Sequence, residues 1–189
     1  MSEQGPRIYT KTGDDGTTGL LFGGRVGKDD PLVAACGDVD EAVAALGLAR
    51  ALLADADPAL AADVLALQRQ FFVVAADLMA NPRARDKTVD GLSRVSAAMV
   101  DALEQDMDRR LARRPLKPVF IVPGATRGSA QLDVARAVVR RAERSVVAAA
   151  GAGHAVSEQV SSFLNRAGDL VFVLAREAAG DANEAPSHD

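Results

Sequence analysis

Residues 129–150 read SAQLDVARAVVRRAERSVVAAA. The stretch is built from Ala and Val with arginines spaced through it, which is a helical pattern. Helical geometry sets Arg136, Arg140 and Arg144 on one side, with Glu143 beside them. Arg141 is rotated off that side by roughly 100° from Arg140. Guanidinium groups are planar forks of donors that match phosphate oxygens and stay charged. Such a cluster on an apolar helix reads either as a seat for a polyanion or as a solvated basic face. The rest of the chain has to decide between them.

Outward from this helix, the chain reads as four more. Asp30 is an N-cap with Pro31 in the first turn, opening a helix to about Ala54 with Leu32, Val33, Cys36, Val39, Val43 and Leu46 as apolar positions. A second runs from Pro58 to about Met79, with Leu60, Val64, Leu67, Phe71, Val74 and Leu78 at helical intervals. Residues 80–88 form a polar connection. A third helix spans about Val89 to Arg113 through Leu92, Val95, Met99, Leu103, Met107 and Leu111. Prolines then end it, and VFIV precedes Pro123-Gly124. After Gly151 and Gly153 a fifth helix covers about Val156 to Ala179. The expected fold is all-α: an up-and-down five-helix bundle with a long N-terminal loop. Residues 1–189 form one domain, with 1–8 and 180–189 as disordered tails.

Composition agrees with a globular chain. Of 189 residues, 48% are hydrophobic and 25% charged, and aromatics are only 4%, so small aliphatic side chains must pack the helices closely. The net charge of −4 argues against general nucleic-acid binding and leaves the basic cluster for a small anion. The single cysteine, Cys36, cannot form an internal disulfide, and a buried small hydrophobe is its expected role. MSEQGPRIYTKTG has no apolar core, and no apolar run has the roughly 18 residues of a membrane span. These features predict a soluble cytoplasmic protein with no membrane partner.

Familiar catalytic motifs fail. Gly27-Lys28 lacks the upstream glycine and downstream hydroxyl of a Walker A loop, since Phe22 and Asp29 occupy those places. His154 and His188 are too few and too scattered for di-iron, zinc or a serine triad. What survives is a constellation. TKTGDDGTTGL at 10–20 offers backbone N–H groups and hydroxyls that can cradle phosphates, although a flexible surface loop has the same composition. Lys28 and the arginines add cations. Asn165 adds a neutral oxygen suited to Mg²⁺. Asp169, one turn on, is expected to support arginine side chains, and Arg166 and Arg176 read as surface or interface charges.

TKTGDDGTTGL, Lys28-Asp29-Asp30, GDVDE at 37–41, FIVPG at 120–124, RAVVRRAER at 136–144 and FLNRAGD at 163–169 occur in that order. Together, from about residue 8 to 179, they closely resemble the PduO-type ATP:cob(I)alamin adenosyltransferases. The resemblance implies a five-helix bundle assembled as a homotrimer with active sites between subunits. It implies transfer of the 5′-deoxyadenosyl group of ATP to cob(I)alamin with release of triphosphate. Thr10, Lys11, Thr12, Gly13, Thr18, Gly19 and Lys28 would wrap ATP. Arg140, Arg141, Glu143 and Arg144 would hold its phosphates and ribose, with Asn165 near Mg²⁺. Phe120 would lie against the lower face of the corrin of cobalamin. Asp40 and Arg136 would form an ion pair across the subunit boundary. A cob(II)alamin reductase and an adenosylcobalamin-dependent enzyme would be its partners.

The chemistry explains the missing nucleophile: cobalt itself attacks, so the protein supplies placement and charge. Two departures from the family pattern stand out. Ala125, followed by Thr126-Arg127-Gly128, replaces a common second glycine, and Asp15 stands where lysine is common. Two rival readings are a non-catalytic carrier or regulator that binds ATP or cobalamin on the same fold, and a purely structural bundle.

Overall fold

Two helices distant in sequence carry the same seven-residue pattern. In α1 (Pro31–Leu53) the buried positions are Leu32, Val39, Leu46 and Leu53, alternating with Ala35, Ala42 and Ala49. In α4 (Arg127–Gly151) they include Leu132, Val139 and Val146, alternating with Ala135, Ala142 and Ala149. Large and small residues repeating every seven positions produce a coiled-coil seam, and the alanines let the helices approach closely. The helices run antiparallel, since Gln131 reaches the Ala45 carbonyl while Ser145 reaches Asp38. Val33, Cys36 and Val43, expected on the apolar face, are only half-buried beside this seam.

The computed structural model describes residues 8–180 and 184–188; the remaining parts of the expected tails lie outside the described residues. α2 (Pro58–Leu78) packs on α1, α5 (Glu158–Ala179) on α4, and α3 (Ala97–Arg113) on α5. Both predicted proline starts hold: Asp30 accepts from the Leu32 N–H at 2.7 Å and Asp57 from the Leu60 N–H at 3.0 Å. Phe71 and Phe163 meet edge to face at 5.8 Å between centroids, both fully buried, and truncating either would cost roughly 3–5 kcal/mol. α2 is long and apolar enough to cross a membrane by length and composition, but Leu60, Val64, Leu67, Phe71, Val74 and Leu78 bury that apolar face in the bundle. Arg110 ties α2, α3 and α5 together through Asp63, Asp106 and Glu177. Burial alone would lower its pKa, but the three carboxylates more than offset this and hold it charged.

Several expectations need correcting. α3 starts at Ala97, not Val89. Gly91 takes a φ of +74°, the Ser93 hydroxyl accepts from the Val89 N–H at 2.9 Å, and the buried Asp77 carboxylate takes the Val95 N–H at 2.8 Å. These bonds hold 89–95 in a turn and leave Val89 and Leu92 exposed. The connection at 80–88 contains a 3₁₀ helix, Pro82–Lys87, whose Arg85 pairs with Asp77.

The N-terminal loop contains a hairpin. β1 (Thr17–Gly19) and β2 (Arg25–Gly27) pair antiparallel, Thr18 opposite Val26. Leu21 and Asn81 stitch its tip to the end of α2, with Leu21 N–H donating to Met79 at 2.8 Å and Asn81 N–H to Leu21 at 3.0 Å. Finally, part of the expected C-terminal tail is paired. Val122 N–H donates to Ala185 and Ser187 N–H to Phe120, both at 2.8 Å.

Candidate functional site

The antiparallel packing of α4 on α5 lines up side chains along one edge, so that positions rising on α4 meet positions falling on α5. Asp133 meets Arg176. Arg136 lies over the Phe172 ring, guanidinium carbon 5.3 Å from its centroid. Arg140 crosses Gly168, where a Cβ would sit 3.4 Å from its Cγ; the missing side chain lets the arginine stem lie flat on α5. Glu143 accepts from the Asn165 amide at 3.0 Å. Helical spacing puts Arg136, Arg140 and Glu143 on one side of α4, and the packing of α5 brings Asn165 to that side. Arg144, exposed at its edge, donates to the Arg140 carbonyl at 3.0 Å.

Arg141 points elsewhere. It pairs with Glu41 and, at 3.3 Å, with Asp38 on α1. Hydrogen bonding to Glu41 raises its pKa, so it is a cation already engaged on the opposite flank of α4. Ser145 also bonds Asp38. Asp169, expected to support an arginine, is exposed and makes no ion pair among the described residues.

The loop supplies the second group of candidates. Thr10, Lys11 and Thr12 are exposed, and the two threonine hydroxyls lie 2.9 Å apart. Lys28 donates its N–H to Gly16 at 2.8 Å, and its ammonium crowds Gly13, where a Cβ would lie 3.2 Å from Nζ. Thr18 and Gly19 belong to β1. Asp15, the departure in this loop, shapes the turn into β1. It accepts from the Thr17 N–H at 2.9 Å and hydroxyl at 2.8 Å, which lowers its pKa. Arg25 spans the hairpin by bonding Thr17 and the Thr12 carbonyl.

A third group surrounds a cavity of about 490 Å³ lined by 114–121, Phe172, Arg176, Gly180 and Glu184. Phe120 stands at this cavity with 84% of its surface exposed, a large cost in water unless something covers the ring. Arg176, read from the sequence as a surface or interface charge, is instead buried. It is 5% exposed, paired with Asp133 and with Glu184 at 3.1 Å, and stacked 5.0 Å from the Phe172 centroid on α5 itself. The Ala125–Gly128 departure starts α4. Thr126 and Ser129 cap each other reciprocally at 3.0 Å, and the Thr126 hydroxyl reaches the Ala178 carbonyl at 3.1 Å. Asp40 is exposed on α1 and forms no ion pair with Arg136 within one chain.

An all-α bundle with arginines along an interhelical seam, a Gly/Thr hairpin loop and a cavity beside an exposed Phe120 defines a class: a helical protein with a basic seam suited to a polyanion. A family model described as cobalamin adenosyltransferase matches residues 8–178, and the chain belongs to that family. It is 39% identical over 171 residues to a corrinoid adenosyltransferase of Citrobacter freundii, covering 90% of this chain and 93% of that one. It is 42% identical over 178 residues to a corrinoid adenosyltransferase of Mycobacterium tuberculosis, covering 94% and 91%. Among solved structures it resembles a variant PduO-type ATP:corrinoid adenosyltransferase from Lactobacillus reuteri complexed with cobalamin and ATP, with a TM-score of 0.85, 29% identity, and 97% and 100% of the two chains covered.

Proposed function

We propose that this protein transfers the 5′-deoxyadenosyl group of ATP to the cobalt of cob(I)alamin, forming adenosylcobalamin and triphosphate. The observation that carries the reading is the α4–α5 seam, where Arg140 lies across Gly168 one turn from the Glu143–Asn165 pair. In the reaction the cobalt electron pair forms a bond to C5′ of ATP. The C5′–O5′ bond breaks, and its electrons leave with the triphosphate. No proton transfer from a side chain is required. The protein's contribution is to align cobalt with C5′ and to stabilise negative charge growing on the leaving oxygens.

Arg140 and Arg144 are assigned to that charge, with Lys28 and the 10–19 loop enclosing the rest of the nucleotide. Glu143 fits the ribose hydroxyls as an acceptor. Phe120 covers the lower face of the corrin, where an apolar ring keeps water off cobalt. Asn165 suits Mg²⁺ arriving with ATP, because Mg²⁺ binds mainly phosphate and water oxygens and needs few protein ligands. Bound there, Mg²⁺ would neutralise part of the triphosphate charge.

The working unit in this reading is a homotrimer with sites between subunits. Leu48 and Leu52 on α1 and Val134 and Val147 on α4 are exposed apolar residues suited to a subunit contact. Among the described residues, the loop at 10–19 makes no hydrogen bond or ion pair with the α4–α5 seam of its own chain. A neighbouring copy would bring the two together and pair Asp40 with Arg136.

An anaerobic assay with chemically reduced cobalamin, ATP and Mg²⁺ tests the reaction. The expected result is loss of cob(I)alamin absorbance with a light-sensitive cobalt–carbon product and triphosphate in equal amounts. ATP-dependent thermal stabilisation without that product would replace the enzyme by a carrier or regulator.

A further inference from the structure

Four side chains on three helices form an unbroken chain of hydrogen bonds. Glu104 on α3 accepts from Arg166 Nε at 2.6 Å. Arg166 Nη1 donates to Asn165 Oδ1 at 2.7 Å. Asn165 Nδ2 donates to Glu143 Oε1 on α4 at 3.0 Å. We propose that Arg166 is a positioning residue for the nucleotide: it fixes the amide of Asn165 and, through it, the carboxylate of Glu143, with Glu104 holding Arg166 in turn. The inference rests on the ATP site proposed above.

Donor and acceptor chemistry sets the orientation. An asparagine amide has two ends of similar shape and opposite chemistry. Arginine only donates and an ionised glutamate only accepts. Arg166 therefore demands the oxygen end of Asn165, and Glu143 demands the nitrogen end. Both demands specify one orientation, and rotating the amide by half a turn would lose both bonds. The oxygen keeps a second lone pair free for a cation or a water.

The contact between Arg166 and Asn165 also needs an outside cause. Adjacent helical residues point about 100° apart and do not normally face each other. Arg166 must curl back across α5 to reach Asn165, and Glu104 is the group that holds it there. The Arg166 and Glu104 side chains are 39% and 45% exposed, so the pair adds little to stability. Its value is directional: two donors of one rigid plane serve two acceptors, which a lysine cannot reproduce.

The test compares wild type with Arg166→Ala, Arg166→Lys, Glu104→Gln, Asn165→Ala and the Arg166→Ala/Asn165→Ala double variant. Isothermal calorimetry with ATP and Mg²⁺ reads binding without turnover; initial rates give KM for ATP and for cob(I)alamin separately. Arg166→Ala is expected to weaken ATP about tenfold, as loss of a ligand's supporting partner does, while KM for cob(I)alamin and the melting temperature stay near wild type. Arg166→Lys should recover little, and Glu104→Gln should fall between wild type and Arg166→Ala. The double variant should bind ATP no more weakly than Asn165→Ala alone, because Arg166 acts through that amide. Unchanged ATP binding in Arg166→Ala, equal loss for both substrates, or additive losses in the double variant would overturn the inference and leave the proposed reaction standing. A wild type that neither binds ATP nor forms product overturns both.

Discussion

Along the α4–α5 seam, Arg140, Glu143 and Asn165 are each held against a neighbouring helix, whereas Thr10, Lys11 and Thr12 stand exposed, the two threonines bonded to each other. The seam is shaped before any ligand arrives. The loop's outer end has fewer ties, chiefly Arg25 to the Thr12 carbonyl, and in the reading proposed above ATP and a neighbouring copy would complete it. One half of the candidate site is therefore a rigid template and the other an exposed loop. Substitutions in the seam should act on stability, on the chemical step or, through the Asn165–Glu143 pair, on nucleotide affinity, and substitutions in the loop on nucleotide affinity alone.

The largest effect should come from the seam's far end. Arg176→Met would leave the Asp133 carboxylate buried without its cation, a loss of about 3–5 kcal/mol, read as a lower urea midpoint. A change under about 1 kcal/mol would mean that this end is not part of a rigid template. Next, Arg140→Ala should lower kcat/KM for ATP roughly 10²–10³-fold, with a melting temperature moved by no more than about 3 °C. A protein that unfolds instead would recast Arg140 as structural.

In the loop, Gly13→Ala forces a methyl to within 3.1 Å of the Thr17 carbonyl and 3.2 Å of the Lys28 ammonium. It should cost about 1 kcal/mol of ATP binding, roughly fivefold in Kd, with stability unchanged; a matching loss of stability would show that the loop is as rigid as the seam. The effect least tied to the site concerns Cys36 on α1. Burial, aided by the charge of Asp40, pushes its thiol from 9.0 up to about 11. The folded state thus keeps a proton that the unfolded chain releases near pH 9. Cys36 contributes stability below that pH and loses it as the pH rises toward 11. Alkylation of the native protein at pH 8 should run roughly a hundredfold slower than in urea; equal rates would show that α1 leaves this thiol unshielded.

The division between seam and loop also governs what the amino-acid sequence disclosed. Arg136, Arg140 and Glu143 were legible because helical spacing alone sets which neighbours share a face, whereas Asn165, on another helix, stood out only by its oxygen chemistry and the family resemblance. Asp30-Pro31 announced α1 by its chemistry, and the apolar spacing from Pro58 onward announced α2. Arg176 was not legible, because its partner Asp133 lies 43 positions away on another helix. The α1–α4 contact was masked by its own composition: Ala35, Ala42 and Ala49 weigh little in any apolar periodicity, yet they set the approach of the helices. Val89, Leu92 and Val95 continued a helical spacing that Gly91, Ser93 and Asp77 overrule. The hairpin strands, three residues each and rich in Gly and Thr, carry turn composition, so only tertiary stitching by Leu21 and Asn81 reveals them.

The α1–α4 seam has a further consequence during synthesis. A ribosome makes the apolar stripe of α1 early, and its antiparallel partner is complete only about 100 residues later, roughly 5–20 s at ordinary elongation rates. For that interval Leu32, Val39, Leu46 and Leu53 have only α2 to shelter them. The nascent chain is thus a helical hairpin with one greasy flank exposed, a natural client for a chaperone, until α4 emerges and closes it.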